Sequence, residues 1–178
     1  MHIDLKLQTC GAAFLTIALL SLGLPRALAD DWRAFRGTSA SVSQSASLPL
    51  RWSVETGENI AWTADLPGRG VSSPIVVAGR VIVTAASGAS ENRLHVLAFD
   101  QKTGEKLWQR NFWATGRTLF HPLSSVAANT LASDGKRVFA LFSSNDVVAI
   151  HLNGDLAWVR GLNLEHPLAG NDVGMGSS

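Results

Sequence analysis

Past Cys10 the chain contains no cysteine, and Cys10 is the single one in 178 residues. Disulfides, thiolate nucleophiles and cysteine-bound zinc are therefore excluded from everything downstream. Lipidation is not expected either, because a lipoprotein signal carries its modified cysteine after an apolar run and Cys10 precedes the run Gly11–Leu24. An excess of either charge is also lacking. The chain has 15 basic and 14 acidic side chains, and setting aside residues 1–29 with Lys6, Arg26 and Asp4 makes the two counts equal. With no local cluster of Lys and Arg, nucleic acid and anionic membrane surfaces are not expected as partners. No stretch after residue 30 keeps apolar residues at helical spacing over the roughly 11 to 18 positions that an amphipathic helix requires. With 16 glycines against 6 prolines, the composition favours short strands and tight turns over disorder.

What is present begins with a leader. Lys6, the apolar run Gly11–Leu24 and Ala27-Leu28-Ala29 read as a secretory signal peptide over residues 1–29, with the mature chain starting at Asp30. A membrane anchor is the rival reading, but the run has 14 residues where spanning the hydrocarbon core takes about 20. The product is thus expected to be exported, to the periplasm or the exterior, with no transmembrane segment left after cleavage. Residues 30–50 read as an extended leader rich in Ser and Ala, with Trp32 and Phe35 as its large apolar anchors. A disordered arm is the alternative for so few apolar groups.

Residues 51–178 read as one all-β domain. Short runs rich in β-branched and aromatic residues, among them Ile75-Val76-Val77, Val81–Thr84, Leu94–Phe99, Val138–Phe142 and Val147–Ile150, are separated by turn residues. Ala78-Gly79 and Asp134-Gly135 each sit between consecutive runs, where glycine can close a hairpin. Asp100–Gly104 and Leu152–Asp155 do the same one hairpin later, so each unit is four strands.

The two units align. Gly79 precedes Gly135 by 56 positions, while Gly104 precedes Gly154 and Trp108 precedes Trp158 by 50. The second unit is therefore shorter by six, and the loop Ala86–Asn92 is the expected place of the deletion. Thr56-Gly57-Glu58 followed by Trp62 supplies the last strand of an earlier unit. Gly176-Ser177-Ser178 repeats the small residues of Val71-Ser72-Ser73 and is expected to open a third. Four-stranded units repeating every ~45 residues with a Trp in the final strand point to propeller blades, at about 72–113 and 124–161 with a third from about 174. A sandwich of unrelated hairpins would make the register of Gly and Trp accidental.

The stretch Ala98-Phe99-Asp100-Gln101-Lys102-Thr103-Gly104-Glu105-Lys106-Leu107-Trp108 resembles the A-x-D-x-x-T-G-x-x-x-W motif of the pyrroloquinoline-quinone-type propeller repeat. The second copy, Ala149–Trp158, is one residue shorter and has His151 where Asp100 stands. Trp32-x-x-Phe35-Arg36-Gly37 and Leu66–Pro74 resemble the opening of a secreted bacterial subgroup of that family. The resemblance implies an eight-bladed propeller, of which this chain supplies about two blades and a leading strand as an amino-terminal portion. It also implies that Trp62, Trp108 and Trp158 dock blades together, against glycine turns such as Gly104 and Gly154. The family includes quinoprotein dehydrogenases and the scaffold of outer-membrane barrel assembly, so activity has to be argued from the site.

Those dehydrogenases carry adjacent cysteines beside the quinone and a calcium held by Glu, Asn and Asp. Here Asn171-Asp172 is the one comparable pair, and calcium takes about six to eight oxygens. Phe120-His121-Pro122-Leu123 and Glu165-His166-Pro167-Leu168 repeat a His-Pro-Leu triplet 45 positions apart, in connections between blades where ligands bind in such folds. His121, His166, Asn171 and Asp172 are thus the candidate ligand-binding residues, against the plainer reading that Pro fixes a repeated loop. Ser72-Ser73, Ser124-Ser125 and Ser177-Ser178 recur before first strands. No G-x-S-x-G elbow surrounds them, so packing explains them better than nucleophilic catalysis.

No residue is assigned a catalytic or metal-binding role, and no cofactor is expected in this segment. The expectation is an exported binding or assembly scaffold whose partner is a protein, a carbohydrate or a small molecule at the propeller face. The competing expectation is the start of a quinone-dependent periplasmic oxidoreductase, with pyrroloquinoline quinone, calcium and the catalytic residues in other blades. A truncated reading frame that folds only on assembly is a third.

Overall fold

The computed structural model describes residues 31–37 and 48–167. Residues 1–29, where a signal peptide is expected, Asn171-Asp172 and Gly176-Ser177-Ser178 lie outside them. Among the described residues, eight strands form two antiparallel four-stranded sheets, each in sequence order. The first holds β1 (Ile75–Val77), β2 (Arg80–Ser87), β3 (Arg93–Asp100) and β4 (Lys106–Trp113). The second holds β5 (Ala132–Ser133), β6 (Arg137–Leu141), β7 (Asp146–His151) and β8 (Leu156–Gly161), and a single helical turn, α1 (Leu162–Glu165), follows.

The turns follow from residue chemistry. Ala78 and Gly79, at φ +47° and +73°, join β1 to β2 with both central residues in the left-handed region that a two-residue hairpin demands. Ala78 has a Cβ and holds this geometry with its N–H given to the Asp31 carboxylate at 2.9 Å. Asp100 opens the β3–β4 turn by accepting the N–H groups of Lys102 and Thr103, both at 2.9 Å. In the second sheet His151 cannot do this, and Asn153 substitutes by accepting the Asp155 N–H at 3.1 Å. Both sheets then carry a bulge beside the Trp of the last strand, at Ala98/Phe99 and at Ala149/Ile150.

The six-residue shortening of the second unit is not a loop deletion. β2 and β3 have 8 residues each, β6 has 5 and β7 has 6, so five of the six come from the strands. The joining segments, 88–92 and 142–145, differ by one. Trimming both arms of a hairpin keeps cross-strand partners facing one another, which a one-sided deletion would not.

The sheets stack face to face. Ile82, Leu94, Val96 and Ala98 of the first meet Val138, Ala140, Phe142, Val148 and Ile150 of the second in one buried cluster. β3 is buried on both faces, because Leu97 and Phe99 point the other way into a smaller cluster closed by Trp62. Two stacked four-stranded antiparallel sheets of this kind are adjacent blades of a partial β-propeller.

The leading segments tie the assembly together. Trp32 exchanges both backbone hydrogen bonds with Val76, and the Arg33 carbonyl accepts the Ser133 N–H at 2.8 Å, so two consecutive residues bridge the β1 and β5 edges. Residues 60–66 extend without a sheet ladder, since no strand of the described residues lies beside them.

Candidate functional site

Residues 114–131 join the two sheets without any strand of their own. This connector lies at the end of the sheets that also carries the β2–β3 loop and the β6–β7 turn. Two buried carboxylates hold it. Asp146, the first residue of β7, accepts the Thr115 N–H at 3.0 Å and the Thr115 hydroxyl at 2.6 Å where the connector leaves β4. Its second donor group is the Ser144 hydroxyl at 2.6 Å. Glu91, from the β2–β3 loop, accepts the Ser125 hydroxyl at 2.7 Å and the Val126 N–H at 2.8 Å near the connector's other end. Among the described residues the partners given to these two carboxylates are hydroxyls and backbone amides, which offset the desolvation of burial.

Past Ser125 the connector runs beside the segment that leads into β1. Val71 donates to the Ala127 carbonyl, and Ser73 N–H reaches the Thr130 hydroxyl at 3.2 Å. Ser124-Ser125 is therefore not the counterpart of Ser72-Ser73: Val71 and Ala127 stand 56 positions apart, as Gly79 and Gly135 do, which matches Ser72-Ser73 to Ala128-Asn129. The resemblance of the two Ser pairs reflects composition, and Ser125 has a separate duty as the hydroxyl that caps Glu91.

The His-Pro-Leu triplets fall in exposed backbone. His121 Nδ1 accepts the Leu123 N–H at 3.2 Å, which assigns the ring proton to Nε2. His166 ends α1 and gives its own N–H to the Leu162 carbonyl. The two imidazoles share no hydrogen bond, and no group of three metal-ligating side chains forms among the described residues. Asn171 and Asp172 fall outside the described residues. His95 is the buried imidazole: its Nδ1 donates to Asn111 at 2.7 Å and its Nε2 accepts from Ser87 at 2.8 Å, which pins β3 to both neighbouring strands.

The tryptophans lie across the stack. Trp62 Nε1 donates to the Gln101 carbonyl at 2.9 Å, and its ring covers Gly104 so closely that a Cβ there would lie 2.5 Å from it. Trp108 Nε1 donates to the Leu152 carbonyl at 3.0 Å, and a Cβ at Gly154 would lie 2.8 Å from its ring. Trp158 instead packs on Phe139 within its own sheet, at 6.2 Å between ring centroids, and no turn of the described residues covers it. Trp113 ends β4 on the surface, with the Arg93 guanidinium 4.9 Å over its ring.

Charges elsewhere serve turns. Asp134 is held down at about 2 by the backbone N–H groups of Arg137 and Lys136. The backbone N–H groups of Thr103 and Lys102 lower Asp100 in the same way. Arg160 and Glu165 pair on the surface, which lowers the carboxylate and raises the guanidinium. Sequence reasoning missed Glu91 and Asp146 because their partners are 34 and 31 positions away and follow no local pattern.

A family model described as outer membrane protein assembly factor BamB matches residues 29–172. Among solved structures the chain is similar to BamB from Moraxella catarrhalis, with 19% identity and a TM-score of 0.42 over 59% of this chain and 28% of that one. It is also similar to a europium-containing methanol dehydrogenase, with 20% identity and a TM-score of 0.35 over 49% of this chain and 15% of that one. The chain thus spans less than a third of the length of either. No curated protein matches it.

Proposed function

The chain belongs to the BamB-type family of pyrroloquinoline-quinone-like propellers, and from that premise we propose that it is an exported binding scaffold that engages a protein partner through the connector between its two blades. The observation that carries this reading is a pair of exposed leucines on a braced loop. Leu119 and Leu123 are 49% and 83% exposed, on a connector gripped near both ends by Asp146 and Glu91. A fixed loop loses little entropy on binding, and exposed apolar side chains on it supply contact area. The buried polar groups of the described residues support binding over catalysis, since Glu91, Asp146 and His95 are each engaged in holding backbone or strands.

Export follows from the leader 1–29 and predicts a mature amino terminus at Asp30 in the envelope fraction. The partner is tested with a photo-crosslinking residue at Leu123 of the full chain in cells, compared with one at Asn153 in the β7–β8 turn at the other end of the sheets. One discrete envelope-protein adduct at Leu123 and none at Asn153 is the expected result; equal labelling at both sites would refute the reading. Calcium-dependent uptake of pyrroloquinoline quinone by the full chain would favour an oxidoreductase instead.

A further inference from the structure

The hydrogen bonds that hold β3 to its neighbours also run in one chemical direction. Cross-strand register sets Ala85, His95 and Asn111 in one row of the first sheet and Ser87, Arg93 and Trp113 in the next. Positions two apart along a strand share a face, so these residues lie with Leu97 on the side that looks away from the second sheet. A lysine can only donate, and that fixes the polarity of the whole chain of bonds. Lys106 Nζ gives to Gln109 Oε1 at 3.4 Å, and Gln109 Nε2 gives to Asn111 Oδ1 at 2.8 Å. His95 Nδ1–H gives to the same oxygen at 2.7 Å, which leaves Nε2 unprotonated to accept the Ser87 hydroxyl at 2.8 Å.

A hydroxyl, a base with its lone pair on that hydroxyl, and an orienting group behind the base make the arrangement that activates a nucleophile. His95 is 2% exposed whereas Ser87 is half-buried, so of the two reacting groups the hydroxyl is the one nearer solvent. Arg93 stands directly across from Ser87, with its guanidinium 4.9 Å over the Trp113 ring. Its positive charge lies in the row where an acyl oxygen attacked by Ser87 gathers negative charge.

We infer that Ser87 is an activated nucleophile that accepts acyl groups from activated esters, with His95 as its base and Asn111 as a positioning residue. Ser87 Oγ forms a bond to the acyl carbon as its proton passes to His95 Nε2. The bond from that carbon to the leaving oxygen breaks, and Nε2 returns the proton to the departing alkoxide, which gives acyl-Ser87 and an alcohol. None of these residues lies on the connector, so the site is separate from the docking surface proposed above.

The probe is p-nitrophenyl acetate, added to the full chain and followed by nitrophenolate release and peptide mass spectrometry. Ser90, an exposed hydroxyl in the adjoining β2–β3 loop, is the internal control. Acetylation is expected at Ser87, faster than at Ser90 by about a hundredfold. His95→Gln, whose amide can still accept from Ser87, is expected to bring the Ser87 rate down to that of Ser90 while the urea midpoint stays close to that of the unaltered chain. Asn111→Asp is expected to speed acetylation, because a carboxylate stabilises the imidazolium better than an amide does, whereas a purely strand-tying role would leave the rate unmoved. A Ser87 rate no faster than that of Ser90 in the unaltered chain overturns the proposal, as does undiminished acetylation of folded His95→Gln. Should His95→Gln fail to fold, an unchanged or lower rate in Asn111→Asp overturns it instead.

Discussion

The Trp108 indole lies on Gly154 and donates to the Leu152 carbonyl at 3.0 Å, the same relation that Trp62 has to Gly104 and Gln101 one blade earlier. Two separable contributions follow, one from area and one from the N–H. Trp108→Phe keeps much of the ring contact and removes the hydrogen bond, for an expected cost of about 1 kcal/mol. Trp108→Ala also opens a void at the edge of the inter-sheet cluster, for an expected cost of about 3 kcal/mol. Urea unfolding of the full chain measures both, and equal midpoints for the two variants would remove the packing role.

Glycine is needed at position 154 for two reasons and at position 79 for one. Both have positive φ, but a Cβ at Gly79 meets nothing within 4 Å whereas one at Gly154 meets the Trp108 ring. Gly79→Ala is expected to cost about 1 kcal/mol from backbone strain alone. Gly154→Ala should cost clearly more and should also shift the Trp108 Nε1–H resonance. Matching losses for the two variants would contradict the close approach.

Asp134 links turn geometry to pH. Its carboxyl is held at about 2 against an ordinary 3.8, so the folded value lies below the unfolded one. Its stabilising contribution is then complete above about 3.8 and fades as pH falls toward about 2. The difference in urea midpoint between the unaltered chain and Asp134→Ala should therefore be constant near neutrality and shrink in acid. A difference that widens on acidification would reverse the sign and refute the assignment.

Glu91→Ala removes the acceptor of two buried donors at once. Leaving the Val126 N–H unpaired, and the Ser125 hydroxyl with only the longer bond to the Arg69 carbonyl at 3.3 Å, is expected to cost about 2 kcal/mol. The Val126 amide should exchange with solvent faster than the amides of β3, which hydrogen-bond within their own sheet. Unchanged protection at Val126 would mean that another group replaces the carboxylate.

The repeat was legible in the sequence where backbone geometry demands one residue type. Gly79, Gly104, Gly135 and Gly154 all have positive φ, and that local requirement kept them in register with Trp108 and Trp158. The family and the blade architecture followed from that register. The shortening was assigned to the wrong place because strand length leaves no punctuation: β6 and β7 lose residues between the same turns. Ser124-Ser125 misled because two small residues look alike whether they precede a strand or cap a carboxylate. The clamps of Glu91 and Asp146 were illegible, since each depends on which loops the fold brings to one end of the sheets.

The two clamps cross. Asp146 belongs to the second sheet and grips the connector just after it leaves the first, whereas Glu91 belongs to the first and grips it just before it joins the second. Sliding one sheet over the other would pull both grips apart together, so neither blade can loosen alone without unfastening its neighbour. Hydrogen exchange should accordingly find the innermost amides of β3 and β7 opening as a single cooperative unit, with a common free energy and a common denaturant dependence.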